Sequence, residues 1–272
     1  MSTGTGRTDA DPAGSGLEAA LARLGERSEP TDFELRVLRH VGVPQSRYDA
    51  YALLDAPAGG LYVAHGPAGV TGAALGAEVA DGRAFEELHR GRTGRAAIPA
   101  ATPPPGVRGA LRTGRAKQLR IDLSGLTPVE RSVLTAVREI PRGQLRPVSW
   151  VAREAGLHDG EPVPEALARN PVHLLVPCHR VAHDAGPPCD AAYGPRVGEA
   201  LRRDEGIEPE YLRDLLRGNT VFLGSDTTHI YCHPTCAHAR RITPPHRVPF
   251  RTVGAARSAG YRPCKSCRPL AA

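Results

Sequence analysis

The chain has 272 residues, 24% of them charged and 40% hydrophobic, with a formal net charge of +6. It contains no apolar run of about eighteen residues, which excludes a membrane-spanning helix. The length allows two or three domains, the last too small to build much core. Residues 1–16, MSTGTGRTDADPAGSG, lack a basic stretch followed by an apolar one, so they read as a disordered leader rather than a secretory signal. A cytoplasmic protein is expected, and its six cysteines then read as reactive groups or metal ligands before disulfides.

Residues 17–44 carry two short amphipathic helical patterns broken at Pro30. From Tyr48 to Gly76 the apolar runs are cut at Pro57–Gly60 and Gly66–Gly69, the punctuation of a β-meander. AFEELHRG reads as a helix, AIPAATPPPG as a loop, and VRGALRTGRAKQLRIDLSG as a helix followed by a short strand. LTPVERSVLTAVREIP then opens with Thr127 as N-cap, Pro128 at the first helical position and Glu130 completing a capping box. Val129, Val133, Leu134, Val137 and Ile140 form its apolar stripe. VSWVAREAG and EPVPEALARN add two more helices, and three short helices with a glycine-bearing turn suggest a helix-turn-helix.

NPVHLLVPCHRV follows: an apolar run over Val172–Val176 that reads as a buried strand, then Cys178 and His179 side by side. Two readings stand. Cys178 is a buried structural thiol, or it is a nucleophile whose proton must be taken by a neighbouring base. Neighbouring residues on a strand point to opposite faces, so a direct Cys178–His179 bond requires the strand to end there.

The Asn-Pro and Pro-Cys-His-Arg-Val strings, with their flanking elements, resemble the DNA alkyltransferases that repair O6-alkylguanine, over roughly Tyr48 to Ile207. The resemblance implies an α/β plus α architecture. A small ribonuclease-H-like α/β domain would span 31–120 after the leader (1–30), and a winged helix-turn-helix alkyltransferase domain 121–212. It implies Cys178 as alkyl acceptor, His179 as its base through a water, Glu205 orienting His179, and Asn170 bracing the turn. Tyr193, Gly194 and Arg180 would lie at the substrate, which must be flipped out of the duplex. Alkylated DNA is the implied partner, and a monomer is expected.

The match departs at the implied DNA-binding helix. Glu161 occupies the position of an arginine that fills the gap of the flipped base, Pro164 and Glu165 replace small residues, and Val148 replaces a tyrosine. Arg169 closes that helix. Glu161 and Glu165 also suit an ordinary acidic first turn, and Glu205 an ordinary solvated helix end. Charge separates the regions: residues 122–205 carry ten arginines against twelve carboxylates, whereas 217–272 carry nine basic residues against Asp226 alone.

That basic tail holds Cys232 and Cys236, then Cys264 and Cys267 after 27 intervening residues. Two short cysteine hooks joined by a loop suit a tetrahedral Zn²⁺ site, which would supply folding free energy to a segment this small. His229, His233, His238 and His246 could each substitute for a cysteine, a disulfide pairing is the alternative, and Cys189 reads as a bystander thiol. TTHIYCHPTC and AGYRPCKSCRP resemble the metal-binding domain of the adaptive-response protein Ada, which implies a small four-cysteine zinc domain over 217–272 and Cys232 as the acceptor of a phosphate methyl group. A structural zinc module touching DNA, through residues such as Arg240 and Arg241, is the other reading. For the whole chain, a damage sensor that binds without transferring the alkyl group stands as the second reading, and an enzyme specialised for bulkier or single-stranded lesions as the third.

Overall fold

The computed structural model describes residues 32–269, and the leader and the first of the two amphipathic patterns lie outside them. The second pattern forms helix α1, Phe33–His40. The meander is present as β1 (Tyr48–Ala56), β2 (Gly59–Gly66) and β3 (Gly69–Leu75), antiparallel in sequence. Gly69 sits at φ +133°, and a Cβ there would stand 2.3 Å from the Arg120 carbonyl oxygen, which accepts from Val70 N. Only glycine allows that approach.

Helix α2 (Gly82–Thr93) is capped by Asp81, whose side chain accepts from Ala84 N at 2.9 Å. Two expectations fail after it. The start of the expected loop, Ala97–Pro99, belongs instead to strand β4 (Ala96–Pro99), parallel to β1 at the sheet edge, giving the order β3-β2-β1-β4. Pro99 is tolerated because it ends an edge strand. After α3 (Val107–Thr113) the expected strand is reduced to one bridge between Ile121 and Val70.

One face of the sheet packs Tyr51, Ala64 and Ala74 against Phe85 of α2. The other face shares a single hydrophobic cluster with three short helices, α4 (Pro128–Val137), α5 (Val148–Glu154) and α6 (Pro162–Ala168). Leu61, Val63 and Leu75 of the sheet meet Val133, Leu134, Val151 and Leu167 there. The capping box of α4 forms as expected, Thr127 N donating to Glu130 Oε2 at 2.8 Å and Glu130 N to Thr127 Oγ1 at 3.3 Å. Val129, assigned to the apolar stripe, is exposed instead, because as the second helical residue it precedes the turn that meets the core.

The expected strand over Val172–Val176 does not form. Val172 bridges Ala73 of β3, Leu174 takes φ +62°, and His173 bridges back to Val176. Cys178–Arg180 is then a turn of 3₁₀ helix, leading into the two-residue strand β6 (Val181–Ala182), which pairs in parallel with β5 (Arg146–Pro147). The side chain of Asn170 replaces the missing ladder, accepting from Val172 N at 2.9 Å and donating to Val176 O at 3.1 Å. Helices α7 (Gly194–Asp204) and α8 (Pro209–Arg217) follow.

The tail forms its own sheet from β7 (Phe222–Ser225), β8 (Ile230–Cys232), β9 (Arg247–Phe250) and β10 (Arg262–Pro263), in the order β10-β8-β7-β9, with helix α9 (Val253–Ser258) between the last two strands. Phe222, Tyr231, Phe250 and Tyr261 make its small aromatic core. No helix among the described residues is long and apolar enough to cross a membrane.

Candidate functional site

Cys178 lies at the first residue of the 3₁₀ turn with 1% of its surface exposed. Asn170, the residue after α6 and its cap, aims its amide Nδ2 at Cys178 Sγ from 3.3 Å, and the thiol is 3.9 Å from Leu167 O at the end of the same helix. One side chain therefore holds both the turn and the sulfur. Burial pushes the Cys178 thiol up to about 12, with the Asn170 donor opposing it. At neutral pH it is a thiol, and a base must take its proton before it can attack carbon.

His179 is buried next in the chain. Its Nε2 lies 3.0 Å from Glu205 Oε1, so with Glu205 ionised this nitrogen carries the hydrogen and donates it. Nδ1 makes no hydrogen bond among the described residues and keeps its lone pair. Burial lowers the imidazole pKa from its ordinary value, Glu205 pulling the other way, so the ring is neutral at pH 7. Burial alone would raise the Glu205 carboxyl, but hydrogen bonds and charge from His179 and Arg180 hold it at about 2. The pair has the form of a base oriented by a carboxylate.

Arg180, expected at the substrate, is committed elsewhere. It is buried, donates from Nη2 to Glu205 Oε1 at 2.7 Å and from Nε to Oε2 at 3.0 Å, and gives Nη1 to Ile140 O at 2.7 Å. Tyr193 caps α7 and is buried over the turn, its hydroxyl donating to Val176 O at 3.2 Å and accepting from Leu174 N at 3.1 Å. Gly194 follows it at φ +72°. Sequence reasoning missed the next layer: His173 stands edge-on to Tyr193 at 5.0 Å and binds Glu78 Oε2 through Nδ1 at 2.7 Å. No sequence signal marked Glu78, because its partner is 95 residues away.

On α6, Glu161 and Glu165 are exposed and Pro164 half-buried. Arg169 reaches Glu165 at 3.0 Å and Glu130 at 3.2 Å, so this face is a mutually paired surface with an acidic excess. Arg240 and Arg241 are exposed on the tail.

The tail cysteines converge. The parallel pairing of β8 with β10 brings the two hooks together, and the sulfurs of Cys232, Cys236, Cys264 and Cys267 lie within 4.8 Å of one another, all buried and none in a disulfide. A tetrahedral Zn²⁺ with bonds of about 2.3 Å needs sulfurs spaced near 4 Å, so the donor set and spacing fit a metal. His229, His233, His238 and His246 are not members of the cluster, although His233 N donates to Cys267 Sγ at 3.4 Å. Cys189 is buried in the main core, apart from it. Of the four ligands, Cys232 also lines an open recess of about 300 Å³, shared with Thr228, His238, Arg241 and His246.

Fold and site together define a protein with one buried cysteine set beside a carboxylate-oriented histidine, joined to a four-cysteine metal-binding module. Residues 128–207 match the family described as 6-O-methylguanine DNA methyltransferase, DNA binding domain, and residues 213–269 match the metal binding domain of Ada. The methylated-DNA–protein-cysteine methyltransferase of Methanothermobacter thermautotrophicus is 38% identical over 92 residues, 33% of this chain and 51% of the relative. That of Shigella flexneri is 33% identical over 126 residues, 44% of this chain and 73% of the relative. A crystal structure of Mycobacterium tuberculosis OGT in complex with DNA aligns with a TM-score of 0.43 at 23% identity, covering 59% of this chain and 95% of that one. The chain belongs to the methylated-DNA–protein-cysteine methyltransferase family, and it spans about half the length of the first of these relatives.

Proposed function

We propose that this chain repairs O6-alkylguanine in DNA by moving the alkyl group onto its own Cys178. The observation that carries this reading is the convergence of Asn170 and Leu167 O on Cys178 Sγ beside the His179–Glu205 pair. The Cys178 proton passes to the Nδ1 lone pair of His179 through a water, and the thiolate attacks the alkyl carbon. The S–C bond forms, the C–O6 bond breaks, and guanine leaves with a proton returned to it. Glu205 stays ionised throughout and stabilises the imidazolium, while Asn170 donates to the thiolate as charge builds. A thioether cannot be reversed by any group in the site, so each molecule acts once. Arg180 neutralises Glu205 rather than binding substrate, and Tyr193 and Gly194 shape the pocket for the flipped base.

The parsing into a ribonuclease-H-like region, a winged helix-turn-helix and a zinc module belongs to the same proposal, with a cytoplasmic monomer as its form. The four tail cysteines would hold Zn²⁺, which when bound keeps them as thiolates and stabilises a segment with a small core. The concentration of positive charge in the tail supports a second grip on DNA, compensating for Glu161 and Glu165 on α6. One observation favours a second reading: Cys232 lines a recess with Arg241 and His238, so that its sulfur would take the methyl of a neutral phosphotriester, the O–CH3 bond breaking and the basic lining stabilising the phosphodiester anion that is released. The test is intact mass with peptide mapping of the metal-loaded chain after incubation with DNA carrying both lesions. Methyl on Cys178 supports the first reading, methyl on Cys232 the second, and binding without mass gain on either would leave a sensor.

A further inference from the structure

Arg146 is among the largest fully buried side chains of the described residues, 2% exposed at the start of β5. Its hydrogen bonds run to neutral oxygens only, Nη1 to Leu145 O at 2.8 Å and Nη2 to Gln144 Oε1 at 2.6 Å, and Nε has no partner among the described residues. The guanidinium lies 5.6 Å from the centre of the Trp150 ring. Among the described residues no carboxylate pairs with it. A cation buried without a counter-charge is strongly disfavoured.

Across the junction with the tail lies the four-cysteine cluster. Arg146 shares a cleft of about 240 Å³ with His233, Pro234 and Thr235, the residues between Cys232 and Cys236. Burial lowers the Arg146 pKa, and the four tail cysteines, Cys267 first, oppose that shift. Four thiolates around a divalent ion leave a net charge of about −2, which an adjacent buried arginine offsets. The junction is otherwise specific: Leu145 N donates to Thr235 Oγ1 at 2.7 Å, Arg153 Nη2 donates to Arg268 O at 3.1 Å, and Arg268 pairs with Glu154.

The same short segment reaches the other centre. Gly143 N donates to Glu205 Oε2 at 2.8 Å, and Arg146 pairs in β-register with Val181, the residue after the Cys178–Arg180 turn. We propose that Arg146 is the counter-charge of the four-cysteine metal centre, and that the strap Gly143–Arg146 couples metal loading to the His179–Glu205 pair. This rests on the reading of the tail cluster as a metal site. Arg146 is a positioning residue on both accounts: it touches neither the substrate nor the proton path.

The test uses the full chain as purified. Its metal content is measured first, then the rate of metal release to a chromogenic chelator for the wild type, R146Q and R146K. Amide exchange over residues 142–147 and 202–206 is followed in wild type with metal and after stripping. R146Q should release metal ~10-fold faster or more, the usual scale for removing an outer partner of a metal site, with R146K falling between the two. Stripping should raise exchange in both segments. R146Q releasing metal at the wild-type rate, or exchange unchanged on stripping, overturns the inference while leaving the metal reading intact. A purified chain that holds no metal overturns both. Should R146Q not fold, exchange in the wild type with and without metal decides the coupling.

Discussion

Cys178 sits beneath an amide and a backbone carbonyl, whereas Cys232, Cys236, Cys264 and Cys267 sit within 4.8 Å of one another. Both settings are buried, so accessibility does not separate them. What separates them is the source of the negative charge. Around Cys178 burial favours the neutral thiol, and in the proposed reaction charge would be created at the moment of transfer by a base one residue away. In the tail a metal would hold the charge permanently, and Arg146 is placed to balance it. Burial with a proton acceptor makes a latent nucleophile; burial with a cation makes a structural centre.

The largest effect that would sharpen this contrast is loss of the acceptor. C178A should abolish mass gain from O6-methylguanine DNA, while C189A should leave it at the wild-type level; equal labelling of C178A would move the chemistry to another sulfur. Next is E205Q, which leaves Arg180 buried against a neutral amide and removes the partner of His179. A loss of about 3 kcal/mol in stability is expected, seen as a lower Tm, together with slower transfer at temperatures where the variant is folded.

The third is pH. His179 has a pKa lowered from 6.5 by burial, with Glu205, Arg180 and Arg202 around it, so its proton-accepting form is complete at neutral pH and is lost as pH falls through the lowered value. Glu205, held at about 2, stays ionised over the same range. Single-turnover rates should be level from pH 7 down to the ordinary histidine range and drop below it. Both depressed values also contribute stability that is present above the unfolded values of 6.5 and 4.5 and lost on acidification, so Tm should decline in that order. A rate that rises on acidification would exclude His179 as the base. The smallest effect is E161R, which should tighten duplex DNA binding several-fold and steepen its salt dependence. No change would mean that α6 does not face DNA.

Local chemistry was legible in the sequence where a short pattern has one geometric solution. Thr127-Pro128-Val129-Glu130 closes its capping box, the meander turns fall at Pro57–Gly60 and Gly66–Gly69, and the two cysteine hooks meet. The three side chains named as partners of Cys178 do lie together: Asn170 at its turn, His179 on the 3₁₀ step, and Glu205 at the C-terminal end of α7 against His179. What escaped depended on distant partners. Ala96–Pro99 is a strand only because β1 offers it an edge, and Ile121 is not one because only Val70 is left to pair. Val172–Val176 is apolar enough for a strand, yet Asn170 takes its hydrogen bonds and folds it into a turn. Arg146, Thr235, Glu78 and His173 carried no sequence signal, since each matters through a residue in another part of the chain.

The most direct test is peptide mapping by mass spectrometry after incubating the full chain with an oligonucleotide bearing O6-methylguanine. One methyl group on the peptide containing Cys178, with Cys232, Cys236, Cys264 and Cys267 unmodified, is the predicted result. Methyl on a tail cysteine with Cys178 untouched, or no mass gain on any cysteine while the DNA remains bound, would contradict it.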